Sequence, residues 1–154
     1  MEKSFVMVKP GFANNQEVIN YVKEKLTNAG LKIVSGEFKS YSIDKAQEHY
    51  AEHFLGSYKN AKPFYKKLEE YITSDKVYGM EVHGENAIKT IRALVGSTMK
   101  INKETGEKIL PPAGTIRHDV PIILNEEHRM TENVIHASDS PEAADRELAI
   151  FKTI

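Results

Sequence analysis

Four short β-favouring segments alternate with amphipathic helical segments along this chain, and that order limits the folds it can adopt. Apolar or alternating runs predict strands over residues 5–8, 31–41, 77–83 and 133–136. Apolar residues at helical spacing predict a helix that begins after Asn14 or Asn15 and ends at Gly30, and further helices over 44–54, 63–72, 86–95 and 140–151. Residues 97–131 show poor periodicity and several prolines, which predict a long, irregular surface segment.

The resulting order is β-α-β-α-α-β-α-loop-β-α, which matches the split β-α-β arrangement once the extra central helices are set aside. We therefore predict an α+β fold of the ferredoxin-like kind, with a mostly antiparallel four-stranded sheet covered by helices. A chain of 154 residues is most simply one domain with one core, so residues 1–154 are predicted to form a single domain.

The composition excludes several classes of function. The net charge of −1 gives no bulk attraction to nucleic acid or to a membrane surface, and neither partner is predicted. There is no cysteine, which excludes disulfides, thiolate catalysis and cysteine-based zinc sites and fits a reducing compartment. No apolar stretch is long enough for a membrane span and no signal peptide precedes the first strand, so a cytoplasmic location is expected.

One histidine has a context suited to chemistry. His136 ends the last predicted strand and is followed by the small residues Ala137 and Ser138, which would leave room for a substrate. Glu147, on the next helix, could turn back towards the imidazole. A carboxylate on one ring nitrogen fixes the tautomer and leaves the other nitrogen free to attack an electrophile. From the local pattern alone, a structural histidine is at least as good an interpretation.

Cationic residues in three other places suggest a phosphoryl group as the electrophile. Arg92 lies within a predicted helix, Arg117 follows a glycine-containing turn, and Lys9 ends the first strand. Two guanidinium groups can clamp a phosphate, although each cation taken alone is more often a solvated or structural charge. The chain has neither of the common glycine-rich phosphate motifs, so side chains would have to supply the positive charge around a nucleotide.

Two other histidines could form part of a metal site. His49 and His53 lie four residues apart on a predicted helix and could share one face. No third ligand with supporting context is evident in the sequence. A solvated helix face is the favoured interpretation.

Taken in order, these pieces resemble the nucleoside diphosphate kinases over nearly the whole chain. The matching segments are 5–10 (Phe-Val-Met-Val-Lys-Pro), 48–50 (Glu-His-Tyr), 63–64 (Pro-Phe), 89–92 (Lys-Thr-Ile-Arg), 96–98 (Gly-Ser-Thr), 112–117 (Pro-Ala-Gly-Thr-Ile-Arg) and 133–140 (Asn-Val-Ile-His-Ala-Ser-Asp-Ser). Each segment alone is weak, but their joint order is specific. The resemblance implies the same α+β fold and a ping-pong transfer of the terminal phosphoryl group of a nucleoside triphosphate to a nucleoside diphosphate.

The resemblance also implies roles for the matched residues. His136 would become a phosphohistidine, and Glu147 and Ser138 would orient its ring. Arg92, Arg117 and Thr98 would bind the phosphates of the nucleotide, and Tyr50 would lie beside the transferred phosphate. Lys9 and Asn133 would reach the sugar and the phosphates. Phe64 would contact the base, with Leu68 nearby. Stacking on Phe64 would tolerate any base. Mg²⁺ would be held by the phosphates, not by a protein cage. Family members form hexamers or, less often, tetramers, both built from dimers, so a homo-oligomer is expected.

Several departures from the family pattern leave base preference and oligomeric state open. Gly11-Phe12 replaces a usual Asp-Gly, Met99-Lys100 replaces Asn-Pro, and His118 and Ala137 replace glycines. Extra residues are indicated at 54–62, 99–113 and 120–131. These changes keep two alternatives in view: a nucleotide-binding regulator or scaffold with weak turnover, and a relay that passes phosphate from His136 to a protein.

Overall fold

A four-stranded antiparallel sheet organises the protein. The computed structural model describes residues 1–50, 63–129 and 133–154, with only the backbone described for 63–65. The strands are β1 (Glu2–Val8), β2 (Lys32–Lys39), β3 (Val77–Gly84) and, late in the chain, β6 (Ile135–Ala137), in the spatial order β2-β3-β1-β6. Every neighbouring pair is antiparallel. The strands β3 and β1 lie inside the sheet, and β2 and β6 form its edges. The predicted α+β fold with a split β-α-β sheet is confirmed.

Helices cover both faces of this sheet. They are α1 (Gln16–Asn28), α2 (Ile43–His49), α3 (Pro63–Ile72), α4 (Ala87–Val95), α5 (Ile116–Ile123) and α6 (Pro141–Lys152), and a small hairpin of β4 (Lys100–Ile101) and β5 (Lys108–Ile109) precedes α5. Successive side chains of a strand point to opposite faces. Val6 and Val8 therefore pack with α1, α4 and α5, whereas Phe5 and Met7 pack with α2, α3 and α6. None of the described helices combines the length and the apolar character needed to cross a membrane.

The prediction of an irregular segment over 97–131 is wrong, because this region contains the hairpin and α5. Two-residue strands are too short to show a period of two, so the hairpin leaves no periodic signal. Helix α5 contains Pro121, which usually indicates the end of a helix. The true start signal is Thr115, whose hydroxyl accepts a hydrogen bond from the His118 amide.

The start of α4 also differs from the prediction. Asn86 precedes the helix, but it adopts a left-handed conformation with φ of 51° and its side chain makes no capping hydrogen bond. The carboxylate of Glu2 replaces it, with Oε1 accepting a hydrogen bond from the Ile88 amide at 2.8 Å. An acid from a distant strand thus stabilises the positive end of this helix.

Candidate active site

His136 lies in the middle of the edge strand β6, opposite Met7 of the central strand. Directly opposed residues of an antiparallel pair project to the same face. The imidazole is therefore on the side covered by α2 and α6, while Ile135 and Ala137 are buried on the other side. The His136 side chain is 19% exposed, which allows access to a substrate from the edge of the sheet.

A buried carboxylate holds one side of the imidazole ring. Ser140 caps α6 through the Ala143 amide and Pro141 occupies its first turn, as predicted, and Glu147 follows almost two turns later. His136 Nε2 lies 2.8 Å from Glu147 Oε1. An ionised carboxylate can only accept hydrogen bonds, so Nε2 carries the ring proton and Nδ1 carries the lone pair.

Ser138 connects this carboxylate to the centre of the sheet. Its hydroxyl donates to Glu147 Oε1 at 2.8 Å and accepts from the Phe5 amide at 3.1 Å. Ser138 and Ala137 are buried, so they do not leave the room for a substrate that the sequence suggested. The serine instead fixes the position of the carboxylate that holds the histidine.

The charges around His136 keep its imidazole neutral. Burial, followed by the nearby cations Lys9, Arg117 and Arg92, lowers the pKa of His136 well below its usual range. Burial raises the pKa of the Glu147 carboxyl, although the neighbouring His49 and the Ser138 hydroxyl oppose that rise. A neutral imidazole with a lone pair on Nδ1 is the nucleophilic form of histidine.

Two guanidinium groups bind the free edge of β6 on either side of His136. Arg92 Nη1, from α4, donates to the Ala137 carbonyl at 3.1 Å, and Arg117 Nη2, from α5, donates to the Ile135 carbonyl at 3.1 Å. Arg117 Nη1 also donates to the Gly96 carbonyl at 2.9 Å. Burial and the neighbouring Arg92 lower the pKa of Arg117 to about 10, so the Arg117 guanidinium remains cationic at neutral pH. No pattern in the sequence predicts these contacts between side chain and main chain.

Lys9 is buried, although a lysine at the end of a strand is usually solvated. Lys9 directly follows β1, and its amide donates to the Val134 carbonyl at 2.9 Å, beside β6. Burial, followed by the charge of Arg117, lowers its pKa to about 7. A group with this pKa changes its charge in the physiological range.

The remaining predicted site residues are distributed around this centre. Thr98 and Asn133 border a small cavity together with Arg117. Tyr50 ends α2 and is buried, and Leu68 of α3 packs against the core that contains Tyr50. The Phe64 side chain, residues 54–62 and residues 130–131 of the third insert lie outside the described residues, so their predicted roles stay predictions.

The solvated-face interpretation of His49 is wrong. His49 is 1% exposed, and its ring lies 4.6 Å, centroid to centroid, from that of His136. Ala46 on α2 and Tyr50 directly after it are buried beside His49, and their spacing is the signal that indicates a buried face. His53 lies outside the described residues.

Comparison with known proteins identifies relatives over nearly the whole chain. The sequence profile described as nucleoside diphosphate kinase matches residues 2–153. A nucleoside diphosphate kinase of Staphylococcus epidermidis is 37% identical over 153 residues, which cover 99% of this chain and 89% of that protein. One from Archaeoglobus fulgidus is 39% identical over 151 residues, or 98% of this chain and 86% of that protein.

Solved structures agree with these sequence matches. The nucleoside diphosphate kinase of Halobacterium salinarum in complex with CDP aligns with a TM-score of 0.75 at 34% identity, covering 97% of this chain and 86% of that one. The apo enzyme from Encephalitozoon cuniculi aligns with a TM-score of 0.76 at 25% identity, covering 98% and 88%. The similarity thus includes the helices that surround His136 as well as the sheet.

Proposed function

Because the chain belongs to the nucleoside diphosphate kinase family and transfers phosphoryl groups between nucleotides, we propose that His136 is the group that carries the phosphoryl between them. A single observation supports this assignment best. The imidazole is neutral, is held by a buried carboxylate and lies between two guanidinium groups. The family assignment does not favour the alternative of a binding protein with weak turnover.

The proposed reaction has two matched halves. The lone pair of His136 Nδ1 attacks the terminal phosphorus of the triphosphate, and the bond to the bridging oxygen breaks with its electron pair leaving on the diphosphate. The ring becomes positively charged, and Glu147 stabilises this charge through the proton on Nε2. A second diphosphate then attacks the phosphohistidine through its own terminal oxygen and regenerates the neutral ring.

The nucleotide would be held by side chains instead of a glycine-rich loop. Arg92, Arg117 and Thr98 would bind the phosphates, Lys9 and Asn133 would reach the phosphates and sugar, and Tyr50 would lie beside the transferred group. Cations that stabilise the charge of phosphoryl transfer contribute by electrostatics more than by covalent chemistry. Phe64 would stack on the base, with Leu68 near it, so that base identity matters little.

The metal, the assembly and the location follow as further parts of the proposal. Lys9, Arg117 and Arg92 are the nearby cations that, after burial, lower the pKa of His136. This cationic surrounding fits Mg²⁺ held by the nucleotide phosphates, where it neutralises charge, better than a protein cage. We propose a homo-oligomer, with a hexamer favoured over a tetramer or dimer, and a cytoplasmic location.

Phosphohistidine formation on the unmodified protein tests the assignment directly. Incubation with ATP labelled on the terminal phosphate should give an acid-labile, alkali-stable label that maps to the peptide containing His136. Addition of an unlabelled diphosphate should then discharge the label as a new triphosphate. A label that leaves only for another protein would instead support a protein phosphorelay, and a label on a different residue would contradict the assignment.

Glu147→Gln is expected to separate activity from stability. The amide oxygen can still accept from His136 and Ser138 but cannot stabilise a charged ring, so kcat should fall about tenfold to hundredfold. Because burial raises the pKa of Glu147, the folded protein stabilises its ionised form less than water does, and the variant should unfold at an equal or higher urea concentration at neutral pH. A fall in both kcat and the urea midpoint would contradict this role.

The same raised pKa predicts acid sensitivity. Glu147 should become protonated at a higher pH than an exposed glutamate. The neutral carboxyl group then no longer stabilises the imidazolium. Activity of the native enzyme should therefore decline as the pH falls towards the acidic side of neutrality, before ordinary carboxyl groups titrate. A variant with glutamine at this position should lack that decline, which an activity–pH profile of both proteins will check.

Lys9 should make nucleotide binding depend on pH. With its pKa lowered to about 7, the buried amine is largely neutral above pH 7 in the free protein, while phosphate binding favours the charged form. Binding above pH 7 should therefore take up a proton, and affinity should weaken as the pH rises. Calorimetry in buffers of different ionisation enthalpy measures this uptake. A Lys9→Met variant should abolish it, and an unchanged uptake would exclude Lys9 as its source.

A further inference from the structure

His49 is a buried polar group without a hydrogen-bond partner among the described residues. Both ring nitrogens are inaccessible to solvent, and neither makes a hydrogen bond. The surrounding rings of Phe5, Tyr41, Tyr50 and His136 lie 4.6 to 6.1 Å away, mostly edge to face. A phenylalanine would fill such an aromatic pocket without leaving a donor and an acceptor unsatisfied. An unsatisfied group of this kind needs a physical reason, and the phosphoryl-transfer steps proposed above do not use it.

Three potential metal ligands converge at this point. The closest ligating atoms of His49, His136 and Glu147 all lie within 4.8 Å of one another. Donor atoms on a tetrahedral ion with bonds of about 2 Å are separated by roughly 3.3 Å, so small side-chain rotations would close this set around an ion.

We propose that His49, His136 and Glu147 form a binding site for Zn²⁺ that blocks the nucleophile. Two imidazoles and one carboxylate, with a fourth position open, are a donor set typical of zinc. Mg²⁺ prefers oxygen ligands and is excluded by the same chemistry. The ion reaches the site from the edge of β6, where His136 is partly exposed.

Zinc and phosphate would compete for the same residues. Zn²⁺ bound to His136 Nε2, the nitrogen that faces Glu147, requires the ring proton to move to Nδ1 and also takes up the carboxylate. Nδ1 then has no lone pair, so no phosphohistidine can form. Lys9, Arg92 and Arg117 surround His136, and their positive charges repel a bound Zn²⁺. The affinity for Zn²⁺ is therefore lower than that of an isolated site with the same three ligands. The consequence for activity depends on the role proposed above for His136, but the binding itself does not.

Zinc binding can be measured on the purified full chain without nucleotide. Titration with Zn²⁺ against a chromophoric chelator should give one ion per chain in the micromolar range of free Zn²⁺. Co²⁺ in its place should give the visible absorption of a tetrahedral ion, and X-ray absorption at the zinc edge should show imidazole ligands. Absence of saturable binding in this range, or a spectrum of an octahedral all-oxygen site, would overturn the proposal.

Matched variants distinguish this site from adventitious binding to surface histidines. His49→Phe fills the aromatic pocket and is expected to fold, and it should lose the single zinc ion. His83→Gln removes a histidine that pairs with Glu81 outside the cluster, at 2.6 Å, and should keep that ion. Zinc retained in the folded His49→Phe protein would overturn the proposal. If that variant does not fold, the Co²⁺ and X-ray absorption spectra of the native protein decide whether the site exists.

Inhibition gives a separate readout. With free Zn²⁺ fixed by a chelator buffer, the label on His136 should fall at least tenfold and return after chelation. A protein that binds zinc but never forms phosphohistidine would contradict the proposed function and leave the zinc site intact. A protein that is labelled normally while zinc is bound at the three ligands would contradict the proposal that zinc prevents phosphorylation of His136.

Discussion

His136→Ala is expected to lower phosphoryl exchange between ATP and a second diphosphate by ~10⁴-fold or more, because it removes the atom that forms the covalent intermediate. The surrounding cations would still bind nucleotide, so the loss should fall on kcat while affinity changes little. The radioactive label from ATP should disappear from the protein entirely. Exchange assays and labelling measure the two effects independently.

The control for this variant is His83→Ala. His83 is also a partly buried histidine with a carboxylate neighbour, but it lies on β3, away from the residues that surround His136. Its replacement should leave exchange within about twofold of the native rate, as is usual for surface changes. Native-like exchange by the His136→Ala protein would show that the phosphoryl group passes through another residue or directly between nucleotides.

Arg117→Ala should have the next largest effect, a decrease in kcat/KM of about 10³-fold, which is in the range for a cation that stabilises phosphoryl transfer. The guanidinium group also donates to the Gly96 and Ile135 carbonyls. Its loss should therefore lower the free energy of unfolding by about 1–3 kcal/mol. Urea denaturation reports the structural part, and kinetics at a temperature well below unfolding report the catalytic part.

Arg117→Lys separates the two contributions. Lysine keeps a positive charge but cannot bind both carbonyls with a planar fork, so part of the catalytic loss should be recovered while the structural contacts remain broken. Lys103→Ala, in the exposed turn between β4 and β5, is a matched loss of positive charge and should change neither quantity appreciably. Equal kinetic losses for the alanine variants at 103 and 117 would indicate a general charge effect instead of a local contact.

Local signals in the sequence predicted the framework well. Ser140 and Pro141 define the start of α6, and Pro63 the start of α3, because caps and first-turn prolines act within a few residues. The four strands were predictable because each combines apolar residues with a nearby turn signal. The hairpin over 100–109 was not, because its strands are shorter than any detectable period.

Long-range contacts account for what the sequence could not indicate. Spacing placed Glu147 on the helix after His136 but could not show that Ser138 would bind the Phe5 amide, 133 positions away. The burial of His49 depends on the packing of α2 against α6 and on the contact of its ring with that of His136, so the spacing of His49 and His53 alone favoured a solvated face. The edge carbonyls that bind Arg92 and Arg117 become available only when β6 is the last strand of the sheet.

The hydrogen bond from the Phe5 amide to Ser138 has a consequence for how the enzyme tolerates change. Phe5 belongs to β1, one of the two inner strands, and we expect the amides of such a strand to exchange with solvent only when the whole domain opens. The position of His136 therefore depends on the part of the fold that opens only with the whole domain. Local unfolding of peripheral segments leaves the alignment of the nucleophile intact. Surface loops should therefore accept insertions without a gradual loss of catalytic geometry: the centre stays aligned until the protein unfolds as a whole.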